Sequence, residues 1–242
     1  MHIAVLDANT DDSAFAARHP DEGAKFRAIL QKVRPGWRVD GVMVKHGEFP
    51  SDPAAHDGYI VSGSPSSVND SLPWIDPLAA LIRDAVAQGV PVYGACFGHQ
   101  MVARALGGRV GPNPGGWVFG RVDTELTSPW NGADHHLSLY AAHNEQVLDL
   151  PPGAQVTGRS PDCALAGFAV GRHVWTTQYH PEMSPDFVED LVAEYGPKLP
   201  ADVAARARAS LDRVADEHRI ATLIAEFFET ALSPERPADP SP

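Results

Sequence analysis

The chain has 242 residues, 43% of them apolar, enough to bury the core of one domain or of one domain with an extension. Lys and Arg total 19 against 31 Asp and Glu, so the net charge of -12 argues against a nucleic-acid backbone or an anionic membrane as partner. The two cysteines are too few for a disulfide framework or a zinc cluster, no basic leader precedes the first apolar stretch, and no apolar run nears the roughly 20 residues of a membrane span, so a protein of the reduced cytoplasm is expected.

In chain order, His2 to Leu6 reads as a buried strand. Glu22 to Val33 follows as a helix, with Phe26, Ile29, Leu30 and Val33 at helical spacing and Pro35-Gly36 as its stop. Trp37 to Val44 and Tyr59 to Val61 are further strands. Pro73 to Gln88 is a helix with Ile75, Leu78, Ala79, Ile82 and Val86 on one face. Val90 to Tyr93 is a strand, and His99 to Leu106 a helix closed by Gly107-Gly108. This alternation predicts an α/β fold: an open, mostly parallel sheet of flavodoxin-like type with helices on both faces.

Beyond Gly108 the texture changes. Pro112 to Gly116 is dense in Pro and Gly and reads as loop. Short runs at Val118–Leu126, Leu137–Ala141, Ala154–Thr157, Ala164–Val170 and Val174–Gln178 predict added antiparallel strands. Ala201 to Leu232 is a helical extension with Leu211, Val214, Ile220, Leu223, Ile224 and Phe227 as inward candidates. It could cover the sheet, form a homodimer interface, or do both. The last ten residues hold four prolines and read as a disordered tail. The expected division is a catalytic domain over 1–195, the extension over 196–232 and the tail over 233–242.

Gly94-Ala95-Cys96-Phe97-Gly98 lies between a predicted strand and helix. This G-x-C-x-G pattern is a nucleophile elbow with Cys in place of Ser. The sharp turn would strain Cys96 and stand its thiol above a helix N-terminus, whose dipole favours thiolate. The Phe97 amide would face the same space. A small buried Cys at a tight turn gives the same local pattern, so the elbow alone leaves both readings open. Cys163 has no such context.

A Cys nucleophile needs a base and a group to orient it. Among eleven histidines, His180 stands out in Gln178-Tyr179-His180-Pro181-Glu182, just after a predicted strand. His and Glu two apart in extended chain project to one side, and the intervening proline favours that conformation. His135-His136 suggests a metal at first, but neighbours on a strand point oppositely and no ligand spacing accompanies them, so a solvated loop is expected and no metal or other cofactor. His99 is expected to make a structural hydrogen bond.

Together these segments resemble the class I glutamine amidotransferase family. Val92 to Gln100 with Ala105-Leu106-Gly107-Gly108 is similar to its nucleophile segment, Gln178 to Glu182 to its second catalytic segment, Ile60 to Pro65 to its oxyanion motif, and Ala142 to Val147 to its substrate-adjacent H-x-D-x-V segment. The resemblance implies a triad of Cys96, His180 and Glu182, and attack on a γ-glutamyl amide through a thioester. It also implies an oxyanion hole built from Gly63, Ser64 and Phe97, and Gln100, His143 and Asn144 at the substrate. Gly63-Ser64 stands where the family usually has Gly-Gly, which would impair the hole if that position needed a glycine-only conformation. Ser62-Gly63-Ser64, Asp70, Pro73-Trp74-Ile75 and Gly116 to Gly120 further resemble the γ-glutamyl peptidase branch. Three functions follow from the resemblance: a free-standing γ-glutamyl hydrolase, a glutaminase supplying ammonia to a separate synthetase chain, and a non-catalytic relative. No phosphate-binding G-x-x-x-x-G-K-[ST] is present to suggest ATP use.

Overall fold

The computed structural model describes residues 1–234; the expected tail lies outside the described residues from 235 on. Nine strands form one sheet. Its first half is parallel, in the spatial order β2 (Arg38–Val42), β1 (His2–Leu6), β3 (Gly58–Val61), β4 (Val92–Ala95) and β11 (Val174–Thr177). The second half continues antiparallel through β10 (Cys163–Val170), β9 (Ala154–Ser160), β6 (Val118–Thr127) and β7 (Asp134–His143).

Alternation along each strand builds two cores. Ile3 and Val5 of β1 face one side, where α1 (Glu22–Val33) and α6 (Glu217–Leu232) supply Phe26, Ile29, Ile224 and Phe228. Ala4 and Leu6 face the other, against α2 (Ile75–Ala87) and α3 (Phe97–Ala105). Asp21 caps α1 by accepting a 2.7 Å bond from the Ala24 amide. A third cluster joins Phe119 and Tyr140 of the antiparallel half to α4 (Pro185–Tyr195) and α5 (Ala201–Ser210). The flavodoxin-like sheet, its antiparallel addition and the C-terminal helices therefore agree with expectation. Among the described residues no helix is long and apolar enough to cross a membrane.

Several details differ. The 201–232 pattern is two helices, because Asp216 between them is tied to β7: its amide donates to the Ser138 carbonyl and its carboxylate accepts from the Ser138 amide, both at 2.8 Å. Val214, expected inward, sits on that link at 67% exposure. His135 and His136 lie on β7 rather than in a loop, with His135 Nε2 2.8 Å from Ser128 Oγ and His136 exposed. A small sheet of β5 (Arg109–Pro112) and β8 (Glu145–Asp149) escaped the pattern, as did α4. The strand β5 ends in the Gly-Pro stretch that reads as loop. The α4 signal was present in Ser184-Pro185, an N-cap followed by proline at the first helical position.

Candidate active site

The carboxyl ends of the parallel strands β1, β3, β4 and β11 open on one side, where open α/β sheets bind ligands. A cavity of about 1020 Å³ lies there. It is lined by all nine residues singled out in the sequence: Gly63, Ser64, Cys96, Phe97, Gln100, His143, Asn144, His180 and Glu182.

Cys96 occupies the single residue between β4 and α3. Its φ of 51° and ψ of -107° make it the one non-glycine with positive φ among the described residues. Such a conformation costs about 1–3 kcal/mol and persists only where the surroundings enforce it. They do so here: the Cys96 amide donates to the Thr177 carbonyl of β11 at 3.0 Å, and its carbonyl accepts from the Gln100 amide at 3.1 Å. The flanking glycines are required for space. A Cβ at Gly94 would meet the Gly98 carbonyl oxygen at 2.6 Å, and one at Gly98 would collide with the Val61 carbonyl of β3. The elbow thus wedges between neighbouring strands.

His180 follows β11, the strand beside β4. Its amide donates to the Tyr140 carbonyl at 2.8 Å, holding the backbone extended as Pro181 predicts. Nδ1 lies 2.6 Å from Glu182 Oε1, with both side chains buried. The carboxylate accepts the Nδ1 proton, which leaves the buried Nε2 as the other ring nitrogen. Burial opposes charge on the imidazole, but the Cys96 sulfur and the Glu182 carboxylate outweigh it and hold His180 well above its usual range. His143 is different. Burial takes it down to about 4, so the ring is neutral, and its Nδ1 sits 3.0 Å from the Glu145 carbonyl oxygen.

Gln178 belongs to the site although the sequence marked it only as part of a segment. Its amide nitrogen lies 3.7 Å from Cys96 Sγ, and its oxygen accepts from Gln100 Nε2 at 3.2 Å. Gln100 also donates to the Glu145 carbonyl at 2.8 Å, so it supports the site as well as lining it. Asn144 is exposed at the rim. The Ser64 departure is accommodated: neither Gly63 nor Ser64 has positive φ, so no glycine-only conformation is needed there. Ser62 Oγ donates to the Gly63 carbonyl at 3.0 Å and accepts from the Ala8 amide, pinning the Gly63–Ser64 peptide plane. Gly63 must still be glycine, since its Cβ would stand 2.7 Å from His180 Cε1.

His99 and the second thiol are structural. His99 Nδ1 is 2.8 Å from Thr176 Oγ1, and burial takes the ring down to about 3. Cys163 is buried at the start of β10, where burial pushes its thiol up to about 11. Behind Glu182 stands a buried pair the sequence did not reveal, Lys25 Nζ 2.8 Å from Glu22 Oε1. Burial raises the Glu22 carboxyl, Lys25 counteracts, and the Glu182 charge raises it further.

A family model described as glutamine amidotransferase class-I matches residues 36–190. The chain belongs to the class I glutamine amidotransferase family. Among its relatives, γ-glutamyl peptidase 3 of Arabidopsis thaliana is 29% identical over 76% of this chain and 78% of its own length. A γ-glutamyl-L-1-hydroxyisopropylamide hydrolase from a Pseudomonas species is 32% identical over 76% and 68%. The GMP synthase of Streptomyces coelicolor is 29% identical over 75% of this chain but only 32% of its own length. A solved glutamine amidotransferase from Methylobacillus flagellatus superposes with a TM-score of 0.74 at 25% identity, covering 98% and 96% of the two chains.

Proposed function

We propose that this class I glutamine amidotransferase relative hydrolyses a γ-glutamyl amide through a Cys96 thioester. The observation that carries the reading is the strained Cys96 elbow opening on the same cavity as the 2.6 Å His180–Glu182 pair. Strain, buried charge and a shared cavity at one point are features of reacting centres more than of ordinary cores.

The chemistry runs as follows. The raised proton affinity of His180 favours an imidazolium beside a Cys96 thiolate. The sulfur attacks the γ-carbonyl carbon, and the oxyanion forms next to the amides of Phe97 and Ser64. As the carbon–nitrogen bond breaks, His180 Nε2 gives its proton to the departing nitrogen, and ammonia or an amine leaves. His180 then takes a proton from water, whose oxygen attacks the thioester, so glutamate is released and the thiol is restored. Glu182 holds the tautomer and balances the imidazolium throughout.

The 29% identity to a GMP synthase, of which this chain spans about a third, supports a second reading as a glutaminase feeding a synthetase chain. Purified protein is incubated with glutamine and with γ-glutamyl amides, and glutamate, ammonia and amine are measured, with Cys96→Ala as control. Turnover of amides by the isolated chain, lost in Cys96→Ala, is expected. Glutamine turnover that needs an added synthetase would favour the second reading. No turnover of any substrate together with an unreactive Cys96 would favour a non-catalytic relative.

A further inference from the structure

The cavity at Cys96 is far larger than glutamine requires, at the upper end of the roughly 300–1,000 Å³ that accommodates drug-sized ligands. Part of its wall is an apolar stripe. Phe187, Leu191 and Tyr195 recur every fourth residue along α4 and so share one helix face, and together with Met183, just before the helix, they line the cavity. The stripe starts one residue after Glu182. Trp117, from the turn before β6, adds a half-buried indole. The ring positions are held in advance: Phe187 stands edge-on to His19 at 4.9 Å, and Tyr195 edge-on to Phe15 at 5.6 Å. Departing ammonia would make no use of such a wall.

The charge of the cavity narrows the choice. Eight carboxyl groups line it against three ammonium groups and no arginine. Even with Asp7 and Glu22 left out of the count and His180 added as a cation, carboxylates still outnumber cations. Each lysine is already paired, Lys25 with Glu22, Lys45 with Asp12 and Lys198 with Glu194. A γ-glutamyl group carries one carboxylate and one ammonium and is neutral as a whole. A leaving group that is itself an amino acid adds an unbalanced carboxylate, which this surface repels.

We infer that the leaving group is an amine with an apolar, ring-sized body and no carboxylate, seated on the Phe187 stripe. The inference rests on the γ-glutamyl hydrolase reading above and adds no new bond change, since the amine departs with the proton from His180. It separates this chain's substrate from γ-glutamyl dipeptides as a class.

The test compares γ-glutamyl-2-phenylethylamide with γ-glutamylphenylalanine, which differ by a single carboxylate, and with glutamine, on the wild-type chain. The expected kcat/KM for the phenylethylamide exceeds that for the phenylalanine compound at least about tenfold, and exceeds that for glutamine as well. The gap between the first two narrows at high salt as the carboxyl field is screened. In Phe187→Ala the ratio of phenylethylamide to glutamine kcat/KM falls about tenfold, and Phe187→Leu restores part of it. Leu191→Ala serves in its place if thermal melting shows the first variant unfolded. Glutamine turnover with no preference for the phenylethylamide, or a preference for the phenylalanine compound, overturns the inference and leaves the hydrolase reading standing. No turnover of any of the three, with Cys96 unreactive toward a glutamine-like chloroketone, overturns both.

Discussion

Gly63→Ala isolates the geometry of the base from its chemistry. Gly63 does not have positive φ, so alanine brings no backbone strain of the left-handed kind. The added methyl instead stands 2.7 Å from His180 Cε1, about 0.7 Å inside the 3.4 Å at which ordinary contact begins. The imidazole is buried and tied to Glu182, so either the ring or the Gly63–Ser64 peptide must move by several tenths of an ångström. Both are parts of the proposed reacting constellation, and a misplacement approaching 1 Å costs about 10²-fold, or about 2.7 kcal/mol of barrier. The overpacking itself destabilises the fold by about 1–3 kcal/mol. The expected result is thus a large loss of kcat on the preferred γ-glutamyl amide with a modest fall in melting temperature and retained secondary structure. Activity within twofold of wild type would refute the reasoning, because it would mean that His180 can shift freely without consequence.

The other expectations follow from the same contacts. Glu182→Gln removes the carboxylate that offsets burial at His180, so the imidazole's proton affinity should fall, and kcat/KM with it by about 10- to 10³-fold; the pH profile of Cys96 alkylation reads the change directly. Cys96→Gly should abolish turnover yet be more stable than Cys96→Ala by about 1 kcal/mol in urea melts, since glycine accepts a φ of 51° without strain. At neutral pH a thiol reagent should label Cys96, which lines the cavity, and leave Cys163 unmodified, since it packs in the core and is raised to about 11; labelling of Cys163 in the folded chain would contradict that core placement. His99 and His143 are depressed to about 3 and about 4 from 6.5, so their contribution to stability is full above pH 6.5 and is lost as pH falls toward those values. At pH 5 each should cost about 2 kcal/mol relative to pH 7. His180, raised instead, contributes fully below pH 6.5 and loses that contribution as pH rises through its folded value, so its replacement should leave the acid limb unchanged in denaturant titrations.

What could be read in the chain depended on the range of the signals. The elbow was legible because its requirements are local: the glycines at 94 and 98 exist to clear β3 and the first turn of α3, and both lie within two residues of Cys96. The His180–Glu182 pair was legible for the same reason, two residues apart in extended chain. The long-range parts were hidden. Nothing near Lys25 and Glu22 in sequence says that their ion pair stands behind Glu182, because α1 and the segment after β11, though far apart in the chain, meet in space, with Lys25 Nζ 3.9 Å over the Phe187 ring. The division of 201–232 was invisible for a related reason, since the break is enforced by Ser138 of β7, far away in the chain. The stripe on α4 was present as a fourfold repeat, yet a spacing of four marks any core-facing helix, and only the cavity distinguishes this use of it.

That distinction bears on how the fold divides its work. The parallel half supplies carboxyl ends of adjacent strands, with Thr177 of β11 opposite Ala95 of β4, and this register brings the Cys96 and His180 segments together. Changing it would move both segments at once and disturb two cores, because β4 packs on α3 with one face and on α6 with the other. The wall over the departing group comes from elsewhere, from α4 and the turn before β6, packed as a separate cluster on the antiparallel half. A substitution at Phe187 or Leu191 therefore changes what the cavity accepts without altering the strand register that holds the thiol. On the proposed hydrolase reading, specificity built from the third cluster and chemistry built from the seam between the other two can vary independently.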